Sequence, residues 1–539
     1  MRGKKWIALC ASLLVAAMAS FMLAQETRFH QFSRKAKGSC GNVKLLVASC
    51  FGTSSVEEFV DALFLSDGTI VLLGNAWGAE FPKVDGLAII GEDNPTDAQA
   101  LLIDGKGAKR INYANPNIAA FLLWLSGDGR KVIRAVRFGW GNADGAYIAA
   151  SSNDAIYISG KCTENFRRWL KASNISHDII TPPDGEGKGR DLYLAHFSSD
   201  GRLQWVLIFE RAEGGIGPES RVGGRVGIRC YPLRTGELVL SAYNRIYVMG
   251  KERKLKEVCR TSGVLLTVDE DRRLAFIAGD RNTHTGREPW RQPFCYVISI
   301  DDGTEVKRLW TWEPKTVGDG KYRLVSDSGF KAMIVTREGD LAVAGWSDGG
   351  NSVFLRQPTN LDEPVKYGFI DSLWGARVGR FSWLMRVELK SWQFKSGTNW
   401  CAFLTGQNRP NSADIDELCE LGDGRIAFIG GTAHNVIETP DAWSGNYLRG
   451  GSGDHFGIFS GDFNELLFCS RMPDCDLVSL ACSGKMVVVV GRTFGEGSGC
   501  HCETCGQLTL LIRNPIQEKF GGAADAYFAL IDAGQLDYR

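Results

Sequence analysis

Residues 344–354 read AGWSDGGNSVF, and within them Gly345-Trp346-Ser347-Asp348-Gly349 spells G-x-S-x-G. In hydrolases that spacing holds a serine on a sharp turn between a strand and a helix, with its Oγ raised for attack on an acyl carbon. The residues before it, GDLAVAGW, alternate as a strand does. Those after it, Gly349-Gly350-Asn351-Ser352 and then Val353-Phe354-Leu355, lack a 3.6-residue period and predict a glycine turn into another strand. An elbow needs a helix there, so Ser347 is not assigned as a nucleophile, and no catalytic residue is assigned. His434, His455 and His501 follow in the chain, but no spacing selects a triad partner among them.

What the stretch retains is polar density. Trp346, Asp348 and Asn351 stand at the end of an apolar strand, and Glu288 and Trp290, in REPW, stand one repeat earlier. An indole beside carboxylates and amides suits recognition of a saccharide or peptide, through stacking and paired hydrogen bonds. The plainer reading is an Asp/Asn turn with a tryptophan packed between blades of the repeat.

A second cluster is GCHCETCG (499–506), where Cys500, His501, Cys502 and Cys505 have ligand types that bind zinc. Cys500 and Cys502 point the same way along an extended chain, which suits a metal poorly. Cys469, Cys475 and Cys482 lie just upstream, so the expectation is disulfides among these six cysteines, with no metal and no cofactor. His177, His196 and His284 are isolated, and His196 falls in an alternating strand as a core or face residue. Asn174-Ile175-Ser176 fits a glycosylation sequon.

The N-terminus bears on the same question. Met1-Arg2-Gly3-Lys4-Lys5 leads into an uncharged run from Trp6 to Ala24, the basic-then-apolar order of a secretory signal. Residues 1–24 are therefore read as a signal peptide and 25–42 as an extension; an uncleaved anchor is the alternative, since nineteen uncharged residues just span a bilayer. After cleavage no membrane span is expected. Export places the protein in the periplasm, at the cell surface or outside the cell, where disulfides persist. Of fifteen cysteines only Cys10 falls in the leader, leaving an even number. With 62 Lys+Arg against 62 Asp+Glu, the chain has no basic field with which to hold nucleic acid.

The elements that position these residues come from a repeat. One unit recurs seven times: an alternating apolar run, a polar turn, and a second run that usually ends in a small residue. The copies are 59–74, 146–160, 227–243, 262–279, 331–345, 414–431 and 475–491, as in FVDALFLSDGTIVLLG and KAMIVTREGDLAVAG. Each reads as a hairpin closed by a two-residue turn. A second hairpin type lies between them at 119–139, 192–210, 295–310 and 382–396. The run KERKLKE (251–257) reads as a solvated hairpin edge. Two hairpins make a four-stranded unit with two apolar faces, and stacking such units around an axis buries both. The 64 glycines, about 12% against a usual ~7%, suit many tight turns.

The termini supply the closure. The chain finishes with ADAYFALIDAGQLDYR (524–539), a strand without its partner, while VKLLVASCFG (43–52) matches the missing strand. The expectation is an all-β propeller over 43–539, of about seven four-stranded blades (six to eight), its ring closed by the N- and C-terminal strands. Insertions at 80–117, 163–190 and 360–380 are the loops expected to carry binding.

Residues 120–139 and 145–160, AFLLWLSGDGRKVIRAVRFG and GAYIAASSNDAIYISG, resemble the secreted bacterial β-propeller repeats known as SBBP repeats. That likeness implies a fold more than an activity. VISIDDGTEVKRLW (297–310) is similar to PQQ-type propeller repeats, with Glu305 in place of their glycine, a departure that argues against a quinone docking ring. The functional expectation is a non-catalytic ligand-binding or scaffolding module; the alternative is an extracytoplasmic hydrolase, lyase or quinoprotein with its site at the channel mouth.

Overall fold

In a computed structural model, the described residues are 43–78, 80–91, 101–103, 109–111, 118–139, 143–181, 191–210, 225–261, 263–285, 288–309, 327–348, 380–400, 402–403, 410–411, 413–432, 438–443, 453–495, 510–517 and 519–534. Their strands form seven antiparallel sheets of about four strands in a β-propeller. Blade 1 is built on Val56–Phe64, Ile70–Trp77, Ile118–Leu125 and Val132–Phe138. Blades 2 to 6 begin at Tyr147–Ala150, Arg229–Pro232, Val264–Asp269, Ser328–Val335 and Glu417–Glu420. Blade 7 joins Cys475–Ser483, Met486–Thr493 and Asp525–Asp532 to the first strand of the chain, Lys44–Phe51. The register of that closure runs from Lys44 opposite Asp532 to Phe51 opposite Ala526.

Apolar residues sort by interface. Each of the seven blade-to-blade contacts holds its own buried cluster, including one between blades 7 and 1 around Val47, Phe59, Phe121 and Phe528. Seven blades with seven interfaces make a closed ring, since an open array would leave two faces bare. His196 lies stacked on Tyr157, with ring centroids 4.8 Å apart, the face position its alternation predicts.

Because the strands alternate in direction, connections fall at two ends of the ring. At one end every hairpin is closed by six residues or fewer. The two-residue form expected occurs at Gly484-Lys485, between Ser483 and its partner Met486, whereas the other hairpins at this end have longer turns. In the first, Leu65 N–H bonds Thr69 O, Gly68 N–H bonds Leu65 O, and only Gly68 has a positive φ, 86°. That is a three-residue loop, a type I turn followed by a left-handed residue, and Gly adopts that conformation without Cβ strain.

All longer connections lie at the other end, including the three predicted insertions. Two of these are more than loops. In 163–190, Thr163 Oγ1 caps the helix Glu164–Ala172 by accepting from Phe166 N–H, and Phe166 and Leu170 bury their side chains in the core between blades 1 and 2. The chain then adds Ser176–Ile180 parallel to the outer strand Leu203–Phe209. The insertion of blade 1 likewise lays Ala88–Ile90 beside Val132–Phe138. Both cover outer edges whose unpaired N–H and C=O groups would otherwise recruit other strands. Among the described residues, no helix is long and apolar enough to cross a membrane.

Candidate functional site

Trp346 ends the second strand of blade 5, Asp340–Asp348, at the end of the ring that carries the long connections. Gly345, the first glycine of the G-x-S-x-G match, is required by packing: a Cβ there would stand 2.0 Å from the Trp383 ring of the next strand. Ser347 is wholly buried and paired in register with Ser328 and Phe381, so its hydroxyl is not presented for attack. Trp346 itself is 7% exposed. The Arg291 guanidinium of blade 4 sits 5.0 Å over its ring, while Arg291 N–H and Nε donate to the Asp327 carboxylate at 2.8 and 2.7 Å. Blades 4 and 5 thus meet at this point as a cation–π contact, which packs the indole instead of offering it for stacking.

Asp348 closes that strand opposite Arg380, and Glu288 and Trp290 lie in the strand Glu288–Ser299 that leads to Arg291. The structure therefore brings the backbone of both segments to one end of the ring. The side chains of Glu288, Trp290 and Asp348, and the whole of Asn351, lie outside the described residues.

The disulfide expectation does not hold for the cysteines that can be placed. Cys469, Cys475 and Cys482 are free thiols, as are the other six described cysteines. Topology explains two of them. Cys469 faces the core between blades 5 and 6, whereas Cys475 faces the core between blades 6 and 7 and donates to Met472 O at 3.1 Å. Burial pushes both thiols well up. Cys482 abuts Cys419 of blade 6, within the same core. Cys500, Cys502 and Cys505, with His501, lie outside the described residues. Among the described residues, no group of three His, Cys, Asp or Glu could hold a metal ion.

The most concentrated polar chemistry lies in the central channel, which sequence reasoning did not find. Arg225, just before blade 3, reaches across the ring: Nη2 pairs with Glu417 of blade 6, and Nη1 donates to Val60 O of blade 1 at 2.8 Å and lies 3.8 Å from Asp61. Ser479 Oγ of blade 7 is 2.6 Å from Asp61 Oδ1 and 2.7 Å from Glu417 Oε2. Ile148 N–H of blade 2 donates to Asp61 Oδ2 at 3.0 Å. Five parts of the ring are thus tied through one guanidinium and two carboxyls. Burial raises the Asp61 carboxyl above its ordinary range, against the opposing pull of Arg225.

β-bulges aim these groups. The first strands of blades 1, 4, 5 and 7 each slip register at the same place, between Phe59 and Asp61, Leu265 and Thr267, Phe330 and Ala332, and Leu477 and Ser479. A bulge re-aims the residues beside it, here turning Asp61, Lys331 and Ser479 toward the axis. The signal in the sequence was positional: Asp61 in FVDALF and Ser479 in DLVSLA interrupt the apolar run at matching places, and Lys331 in FKAMIV stands one position earlier, at the bulge itself. Arg225 lay outside every repeat.

Beside this plug is a partly open cavity of about 220 Å³. Arg225, Arg229, Lys331, Asp416 and Glu417 supply its charges, and Leu266, Met333, Leu418 and Val478 its apolar wall. Lys331 pairs with Asp416 at 2.6 Å. Arg229 lies 4.7 Å over the Tyr147 ring and bonds Tyr231, whose hydroxyl donates to Leu266 O.

A seven-bladed propeller with a cross-tied channel is the class these observations define. No family model and no curated protein matches the chain, so neither predicted repeat type gains support from that side. Solved structures similar to it include a protein of unknown function from Dyadobacter fermentans, 12% identical, covering 91% of this chain and 99% of that one with a TM-score of 0.39. The Dos1 propeller is 7% identical, with 92% and 97% covered and a TM-score of 0.37. The β-propeller domain of the Trilobed protease from Pyrococcus furiosus is 8% identical, with 82% and 91% covered and a TM-score of 0.35. At such values the assignment of fold rests on the sheet order and the closure described above.

Proposed function

We propose that this chain is an exported β-propeller serving as a non-catalytic binding or scaffolding module in the periplasm or at the cell surface, which engages a saccharide or peptide through the end of the ring bearing the long connections. The observation that carries this reading is the segregation of connections: every long one is at that end, on a rigid ring that holds it in place. The basic-then-apolar leader supports export.

The test is a screen of saccharide and peptide arrays, repeated with charge reversals at each end. Lys83→Glu and Asp85→Lys alter the long-connection end, while Asp128→Lys and Asp200→Lys alter the short turns. Binding weakened about tenfold by the first pair alone supports the reading; equal loss from both pairs, or loss from the turn pair alone, contradicts it. Export is checked by mass spectrometry of the mature N-terminus, expected after residue 24.

The enzymatic alternative, a hydrolase, lyase or quinoprotein, has one observation in its favour: Asp61 and Glu417 converge on Ser479 inside the channel. Arg225 already occupies the Glu417 carboxylate. Turnover of an array hit, abolished by Asp61→Asn, would decide for this alternative.

A further inference from the structure

The channel cavity has a charge balance that its ion pairs leave incomplete. Two carboxyl groups, Asp416 and Glu417, line it. Three cations face them: Arg225, Arg229 and Lys331.

The surplus falls at Arg229. Arg225 pairs with Glu417 and Lys331 with Asp416. The Arg229 guanidinium bonds a tyrosine hydroxyl and lies over a tyrosine ring, its buried Nε has no hydrogen-bond partner, and Glu417, the carboxylate that attracts it, is already paired with Arg225. A guanidinium is a planar donor that matches a carboxylate fork. Leu266, Met333 and Leu418 give the same cavity an aliphatic wall. Its roughly 220 Å³ is about seven times the liquid volume of one water, room for a compact organic molecule.

We infer that the cavity between blades 3 and 6 binds a small organic acid, its carboxylate received by Arg229 beside Lys331 and its aliphatic part lying against Met333 and Leu266. This site is separate from the long-connection end, and a protein that recruited nothing there would still bind the acid.

The test is isothermal titration of the whole mature protein with sodium butyrate, its neutral isostere butyramide and inorganic phosphate at matched ionic strength. Butyrate is expected to saturate and butyramide not. Arg229→Met should weaken butyrate at least about tenfold, with Arg229→Lys between it and the wild type. The inference is overturned if butyrate fails to saturate by about 10 mM, if butyramide binds as well, or if a folded Arg229→Met protein binds unchanged. Phosphate binding in preference to butyrate overturns the organic-acid assignment and points to an inorganic oxyanion. Should Arg229→Met fail to fold, the butyrate and butyramide pair with Arg229→Lys decides alone.

Discussion

The two ends of this ring are made of the same strands and, Glu420 apart, treat their carboxyl groups in opposite ways. At the short-turn end, Asp67, Asp128, Asp200 and Asp302 are held below the ordinary carboxylate range by hydrogen bonds from Thr69, Ser126, Ser198 and Thr304 respectively. Each of these aspartates fastens its own turn and remains in water. At the long-connection end, burial raises Glu57 to about 8 and Asp525 to about 6, and holds Asp454 well above its usual range. Glu57 is the second residue of the first strand of blade 1, and Asp525 begins the strand of blade 7 that pairs with the N-terminus. The turn end is locally self-consistent, as a sequence selected for folding is; the other end keeps buried acids held by donors from neighbouring segments, Glu57 by Thr53 and Asp525 by Gln517 and Gly521. Strain of this sort collects where a protein does its work.

Opening the ring should have the largest effect. Deleting residues 1–52 removes Lys44–Phe51, leaves Asp525–Asp532 unpaired and bares the cores on both sides of blade 7. Loss of cooperative thermal unfolding, followed by circular dichroism, is expected; an unchanged melt would mean that the closure is not structural. Next comes Arg225→Met, which strips Asp61 and Glu417 of their cation. Breaking a buried pair by removing one partner costs about 3–5 kcal/mol, visible as a lowered denaturant midpoint. Arg225→Met with Glu417→Gln should recover part of that loss, because less charge is left unpaired.

The pH response separates the ends directly. Glu57 holds its proton in the folded protein up to about pH 8, whereas the unfolded chain releases it near 4.5. Between those values the folded state binds the extra proton, so stability is greatest below 4.5 and falls as pH rises toward 8. Glu57→Gln should flatten that fall in urea titrations at pH 5 and pH 8. A wild type equally stable at both would place Glu57 in water.

Asp128→Ala is the smallest effect and has the opposite sign. The group is exposed and screened, so a few tenths of a kcal/mol are at stake. That contribution is present above the unfolded carboxyl range and lost as pH falls below it, so the variant should differ from wild type at neutral pH and converge with it in acid. A larger deficit for Asp128→Ala than for Arg225→Met would reverse the ranking of turn and channel.

This division also explains what could be read from the chain. Turns such as Ser66-Asp67-Gly68 are local, so the seven inner hairpins and their order were legible, as was the closure by 43–52 and 524–539. Two outer hairpins, Arg245–Met249 with Leu255–Arg260 and Gly453–Phe459 with Leu466–Met472, were missed as full repeats because their alternation is broken by charge in one and by glycine in the other. Trp346 was placed at the correct end, but its burial under Arg291 depends on a neighbouring blade. The channel network was the least legible. Asp61, Arg225, Glu417 and Ser479 are brought together across as many as 418 positions, and the bulges beside Asp61 and Ser479 leave no local mark beyond one polar residue in an apolar run.

Hydrogen–deuterium exchange of the protein with and without the saccharide or peptide that the arrays identify tests most directly which end binds. Protection is predicted at the long-connection end, in peptides spanning 74–90, 160–191 and 345–381, with the turns 65–69, 126–131 and 198–202 unchanged. Protection confined to those turns, or spread equally over both ends, would contradict it.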